Sequence, residues 1–272
     1  MPYLEIGNKK MFYEEHGQGE VVVFLNGIMM STASWAPFVE AFSKDYKMLL
    51  IDLIDQGLSD KADSEYTQDM HVEMLKELLD KLGYHRIHLF GVSYGGEVAQ
   101  LFALKYQYML KSLILSNTTS YTCKSMYDLE RAWDYAAATY DAGVFFSVTM
   151  PSIYSYKFYE ENYEWLQERE KLFGRVFNER WYEGFRRASK SAHGLNITDE
   201  LHEIKVPTMI ISSELDTTTP LKYQEEIYKR IPDSKWVLIK DAGHASMYEK
   251  PYEFLSIMLG FLKTAGLEIK II

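Results

Sequence analysis

The chain has 272 residues, 47% of them hydrophobic, enough to bury a sizeable core in one globular unit that also carries an insertion. A formal net charge of -10 and a pI near 5.3 exclude the basic footprint of a nucleic-acid binder. No apolar run approaches the roughly 18 residues of a membrane span, and the first residues, Met1-Pro2-Tyr3-Leu4-Glu5-Ile6, lack a basic flank, so a cytoplasmic protein without a membrane span is expected.

In chain order, Tyr3-Ile6 and Lys10-Glu14 lie too close together for a crossover and read as an antiparallel hairpin at a sheet edge. Val21-Val22-Val23-Phe24-Leu25 is an unbroken β-branched and apolar run, the mark of a strand covered on both faces, and it stops at the turn signal Asn26-Gly27. Short apolar runs recur at 47–51, 87–90, 112–115, 208–211 and 236–239. Between two of them, the stretch 66–82 places Met70, Met74, Leu75, Leu78, Leu79 and Leu82 at helical spacing. This alternation predicts right-handed crossovers and an α/β fold with a mostly parallel sheet. From about Tyr121 to Glu200 the alternation stops. That stretch is helical in composition, dense in aromatics such as Tyr154, Trp165, Phe173, Phe177 and Trp181, and holds no convincing buried strand. It reads as an inserted helical cap (121–200) on a core made of 1–120 and 201–272, with most aromatics packing the cap itself and a minority lining a pocket. The single cysteine, Cys123, excludes an intrachain disulfide and reads as a small buried thiol.

The run 87–90 leads directly into Gly91-Val92-Ser93-Tyr94-Gly95-Gly96, after which Val98, Leu101, Phe102 and Leu104 continue a helix. Gly-x-Ser-x-Gly between strand and helix reads as a nucleophile elbow, a turn so sharp that only glycine leaves room beside the serine. A serine hydroxyl needs a base, itself held by an acid. Seven histidines compete for the first role. His88 precedes Ser93 on the same strand, roughly 16 Å away at about 3.3 Å per residue, and is excluded. His85 and His16 read as surface or turn residues, His71 and His202 sit in helical patterns, and His193 near the end of the cap is a possible ligand contact. His244 lies in a loop after the run 236–239, at the carboxyl edge where α/β enzymes gather reactive groups, and is the candidate base. Asp216, beyond the run 208–211, is the first candidate acid; Glu214 competes, and a loop carboxylate that merely caps a turn is the third reading. Backbone amides of Tyr94 and Ile28 are candidates for holding an oxyanion. Asn26 either serves its turn or touches substrate. Met29, with Met30, Trp35 and Met150, either forms an apolar acyl pocket or packs the core and cap. The histidines show no metal-ligand spacing, so neither metal nor cofactor is expected.

These segments resemble the α/β-hydrolase superfamily, and the resemblance runs over essentially the whole chain. It is carried by Leu25-Asn26-Gly27, by Asp52-Leu53 with Gln56-Gly57-Leu58-Ser59-Asp60, by Gly91 through Gly96, by Asp216 through Pro220, and by Ala242-Gly243-His244. The resemblance implies an α/β-hydrolase fold with a mostly parallel eight-stranded sheet, a lid inserted after the sixth strand, and a Ser93-Asp216-His244 triad in the chain order typical of the family. It is nearest to small capped esterases and lactonases, and Ser93 separates the chain from dehalogenase relatives, whose nucleophile is an aspartate. Two positions depart from the common pattern: Asn26-Gly27 stands where many relatives have His-Gly, and Gln56-Gly57 where they have Arg-Gly. Both lie on loops that shape the acyl site, so substrate identity is not carried over. The expected activity is hydrolysis of a small carboxylic ester, thioester or lactone through an acyl-enzyme on Ser93, by a monomer or homodimer whose partner is a small acyl substrate. The same triad also serves C-C bond hydrolysis, lyase or perhydrolase chemistry, or a slow-turnover ligand receptor.

Overall fold

Each apolar run is a strand because it has a hydrophobic layer to satisfy on both sides. A computed structural model describes residues 2–267, so Met1 and positions 268–272 of the expected core segments lie outside the described residues. Its strands are β1 Tyr3–Ile6, β2 Lys9–His16, β3 Glu20–Leu25, β4 Tyr46–Ile51, β5 Ile87–Val92, β6 Leu110–Ser116, β7 Thr208–Ser213 and β8 Lys235–Ile239. They form one eight-stranded sheet in the order β1-β2-β4-β3-β5-β6-β7-β8. The β1-β2 hairpin and the β2-β4 pairing are antiparallel, and every pairing from β4 onward to β8 is parallel. The expected mostly parallel sheet with an antiparallel edge is therefore what the chain forms.

The helices are α1 Ala36–Phe42, α2 Asp69–Leu82, α3 Tyr94–Tyr106, α4 Lys124–Ala137, α5 Ala142–Ile153, α6 Tyr156–Glu161, α7 Tyr163–Val176, α8 Glu179–Ala192, α9 Leu221–Arg230, α10 Ser246–Glu249 and α11 Pro251–Thr264. Side chains alternate across the pleat, so Val21, Val23 and Leu25 of β3 pack with Leu49, Ile51 and Leu89 against α2 and α3. Val22 and Phe24 point the other way, packing with Leu50 and Phe90 against Phe38 and Phe42 of α1 and Phe254 and Met258 of α11. With no wet face, the strand sequences lose their polar alternation. Helix α2 starts at Asp69 rather than Tyr66, and its N-cap Gln68 donates its side-chain amide to Glu97 (2.6 Å). It stops at Gly83, whose φ of 74° a side chain would resist.

Five helices, α4 to α8, occupy the chain between β6 and β7. An isolated bridge between Tyr121 and Asn196 draws the two ends of this segment together. Its interior is built from Trp133, Ala136, Ala137, Phe145, Tyr182 and Phe185. Phe177 stacks on Trp181 at 3.5 Å between centroids. The segment is fastened to the sheet by Arg187 of α8, which forks onto the fully buried Asp55 (2.7 and 3.0 Å), and by the Ala245 amide donating to the Ile153 carbonyl (3.0 Å). No helix among the described residues is long and apolar enough to cross a membrane.

Candidate active site

Ser93 stands alone between the last residue of β5 and the first of α3, at φ 53° and ψ -124°, a conformation that costs a non-glycine residue energy and marks a functional turn. The neighbouring glycines permit it. A methyl group at Gly91 would run into the Gly95 carbonyl, and one at Gly95 into the Leu25 carbonyl. The hydroxyl is thereby lifted off the carboxyl edge of the sheet at the N-terminus of α3, where free amides and the helix dipole favour negative charge.

His244 comes from the loop after β8, and its Nε2 lies 2.9 Å from Ser93 Oγ. Its Nδ1 lies 2.9 Å from Oδ2 of Asp216, in the loop after β7. A carboxylate only accepts hydrogen bonds, so Nδ1 carries the proton and Nε2 offers its lone pair to the serine hydroxyl. Asp216 is buried and needs donors to remain charged there. It finds them in the amides of Thr218 and Thr219 (both 2.9 Å), the Thr219 hydroxyl (2.8 Å) and Gln224 Nε2 (3.0 Å). The histidine loop is anchored by Asn117, which donates to the His244 carbonyl (2.7 Å) and to Ser246 Oγ (3.0 Å). Glu214 does not reach this line: it is exposed and accepts from the Asp241 amide (3.0 Å).

Among the described residues the amides of Ile28 and Tyr94 have no hydrogen-bond partner, and both residues line the hollow at Ser93. The Gly27 carbonyl accepts from Gln56 Nε2 (3.1 Å) and the Met30 amide (3.0 Å). In a trans peptide the carbonyl and the following amide point in opposite directions, so these two bonds turn the Ile28 N–H the other way. Gln56 therefore orients the peptide that the sequence reading singles out.

Of the two readings of Asn26, the structure has the one in which it serves its loop, and the substrate contact is corrected. Asn26 is fully buried below the cavity, donating to the Ile51 carbonyl (2.8 Å) and accepting from Trp35 Nε1 (2.7 Å). Its hydrogen-bonding capacity is spent tying the β3 loop to the β4 loop. Trp35 is likewise core, in contact with the rings of Phe24 and Phe90. Met29, Met30 and Met150 do line the cavity over Ser93, with Trp133, Tyr154 and Phe173 from the inserted helices. That cavity measures about 140 Å³, below the roughly 300–1,000 Å³ of pockets for drug-sized ligands, so it suits a small apolar group.

The remaining histidines lie elsewhere. His88 is held by Ser112 (2.7 Å) and Glu20 (3.0 Å). His16 pairs with Glu14 (3.0 Å), His202 lies 2.7 Å from the Asp199 carbonyl, and His85 is exposed. His71 is wholly buried between Tyr66 and Tyr94, and burial pushes its pKa down to about 3. His193 lies 3.2 Å from Glu130, and burial raises that carboxyl above its ordinary range. Thr219 enters the sequence reading only within the run Asp216 through Pro220, without a role, and Gln224 does not enter it. The Thr217-Thr218-Thr219 run directly after an aspartate is a legible turn signal for the first, whereas nothing local marks the second.

A sheet whose carboxyl edge gathers a strained serine, a histidine and a buried aspartate defines an α/β hydrolase. The chain belongs to that family: a model described as the alpha/beta hydrolase fold matches residues 20–251. It is similar in structure to MGS-M2, an alpha/beta hydrolase enzyme from a Medee basin deep-sea metagenome library, at a TM-score of 0.96 and 37% identity over 99% of this chain and 100% of that one. In sequence it is 28% identical to a proline iminopeptidase of Saccharolobus solfataricus, over 95% of this chain and 92% of that protein. It is 24% identical to 3-oxoadipate enol-lactonase 1 of Acinetobacter baylyi, over 89% and 88%.

Proposed function

We propose that the chain is a carboxylic ester hydrolase acting through an acyl-enzyme on Ser93, with His244 as general base and Asp216 holding the imidazole. The observation that carries this reading is the continuous line from Ser93 Oγ to His244 to Asp216, at 2.9 Å for each contact, opening on an apolar cavity. His244 takes the hydroxyl proton as the oxygen attacks the ester carbonyl, and the amides of Ile28 and Tyr94 receive the developing oxyanion. The protonated imidazole then returns its proton to the departing alcohol, and water repeats the sequence on the acyl-serine. The helices α4 to α8 serve as the cap, supplying Trp133, Met150, Tyr154 and Phe173 to the acyl cavity. With p-nitrophenyl acetate and butyrate, Ser93→Ala lowers kcat/KM by on the order of 10³ or more. Hydrolysis undiminished by that substitution contradicts the assignment.

One observation favours amide cleavage at a free amino terminus as a second reading. Glu97 and Glu130 line a smaller hollow of about 30 Å³ beside Ser93, where a substrate ammonium would meet a carboxylate, and the Saccharolobus relative bears the name proline iminopeptidase. Two considerations favour the ester: burial holds both carboxyls above their ordinary range, toward the neutral form, and no carboxylate lines the main cavity among the described residues. Faster turnover of L-proline p-nitroanilide than of p-nitrophenyl butyrate would reverse this order.

A further inference from the structure

Apart from His244, one ionisable cation lines the main cavity: Arg169 of α7. It is half-buried, and among the described residues no carboxylate lies within ion-pairing distance of it. Its guanidinium carbon sits 4.6 Å from the centre of the Trp165 ring on the same helix and 6.0 Å from that of Tyr248 on α10, four residues beyond His244. Tyr248 is itself fixed, its hydroxyl donating to the Ser34 carbonyl (3.2 Å), and Ser34 also lines the cavity. The carboxylate next to Tyr248, Glu249, is taken up by the amide of Ser155 (3.0 Å) and its hydroxyl (2.5 Å). Among the other arginines of the inserted helices, Arg131, Arg186 and Arg187 each engage an aspartate, and Arg175 and Arg180 are exposed to solvent outside the cavity. Arg169 does neither.

An arginine held by ring faces keeps its planar fork of N–H donors for an anion, and a site sheltered by apolar walls strengthens the attraction. Most of the remaining lining is apolar, with Met29, Met30, Ile153 and Phe173 among its members. From this juxtaposition we infer that Arg169 is a specificity residue and that the substrate is an ester carrying a carboxylate on a short apolar chain, its ester carbonyl at Ser93 and its carboxylate on the Arg169 guanidinium. The net charge of -10 is no obstacle, because diffuse surface charge is screened within about 10 Å while Arg169 stands in the cavity lining itself. The inference rests on the hydrolase reading above and adds the charge of its substrate.

The test compares monomethyl succinate and glutarate with their dimethyl esters, which keep the chain and remove the charge. For the wild-type protein the ratio of kcat/KM, monoester over diester, is expected on the order of tenfold to a hundredfold, the range of a charge-assisted hydrogen bond. In Arg169→Gln the ratio collapses toward unity, mainly through KM, and Arg169→Lys restores part of it. A ratio near unity in the wild type, or one unchanged by Arg169→Gln, overturns the inference and leaves Arg169 as a packing residue between α7 and α10. Binding of monomethyl glutarate to the Ser93→Ala protein, followed by calorimetry, separates the two claims. Binding abolished by adding Arg169→Gln supports the anion site even where no ester is turned over, whereas turnover of diesters with no monoester preference supports the hydrolase and sinks the anion site.

Discussion

Asp216 sits among four protein donors and a histidine, and Phe145 sits among four aromatic rings, those of Phe177, Trp181, Tyr182 and Phe185. The first pattern belongs to the loops at the sheet edge, the second to the helices above them. Hydrogen bonds fix direction, and proton transfer from Ser93 needs direction. Aromatic burial fixes proximity at low directional cost, which is what enclosing a small apolar group needs. The floor of the cavity should therefore fail in rate when perturbed, and its roof in stability and substrate fit.

The strongest attack on the floor is Asp216→Asn, which keeps the shape but replaces an acceptor by a group that leaves the imidazole tautomer unspecified. Ester hydrolysis should fall by roughly 10³–10⁴ in kcat, a far larger effect than the roughly 1–3 kcal/mol of stability lost where the new amide nitrogen faces a buried donor. A drop under tenfold would mean that Asp216 only braces its loop. On the roof, Phe145→Ala should cost about 3–5 kcal/mol in denaturant unfolding, because it empties the centre of the helical segment. A loss under 1 kcal/mol would show that the segment is not packed around that ring.

A smaller effect is expected below the cavity. Asn26→Ala leaves the buried Trp35 N–H without its acceptor and should destabilise the fold by about 1–3 kcal/mol while leaving the order of preference in an acyl-chain series unchanged. A reordered series would return Asn26 to the substrate. Smallest when counted per pH unit is the acid response of His71. Its folded pKa near 3 lies below the unfolded value of about 6.5, so the unfolded chain takes up a proton that the native chain refuses. Stability from this residue is complete above about pH 6.5 and is lost as pH falls toward 3, by up to about 1.4 kcal/mol per unit. In His71→Phe the fall in melting temperature over that window should be shallower, and an identical slope would contradict the neutral buried state.

Much of this arrangement was legible in the chain. The runs at Val21-Leu25 and Ile87-Phe90 announced two-sided strands because burial on both faces removes polar alternation, and Gly91 through Gly96 announced the elbow because steric exclusion is a local property. Ser93, Asp216 and His244 could be chosen since each follows a strand on the same sheet edge. Asn26 stayed open between two readings for the opposite reason: whether a loop amide faces substrate or Trp35 depends on a partner nine residues away in a folded loop. Gln224 and Arg169 carried no signal, as their partners come from separate elements and helical composition reads the same whether a side chain faces solvent or cavity, while Gln56 stood out only as a departure from the Arg-Gly of relatives and not as the partner of the Gly27 carbonyl.

The central claim is that one serine in this chain is activated by one histidine. Intact-protein mass after treatment with diisopropyl fluorophosphate, with peptide mapping of the adduct, tests it most directly. A single adduct on Ser93 that disappears in His244→Ala is the expected result; an adduct on another serine, or equal labelling without His244, would contradict the account.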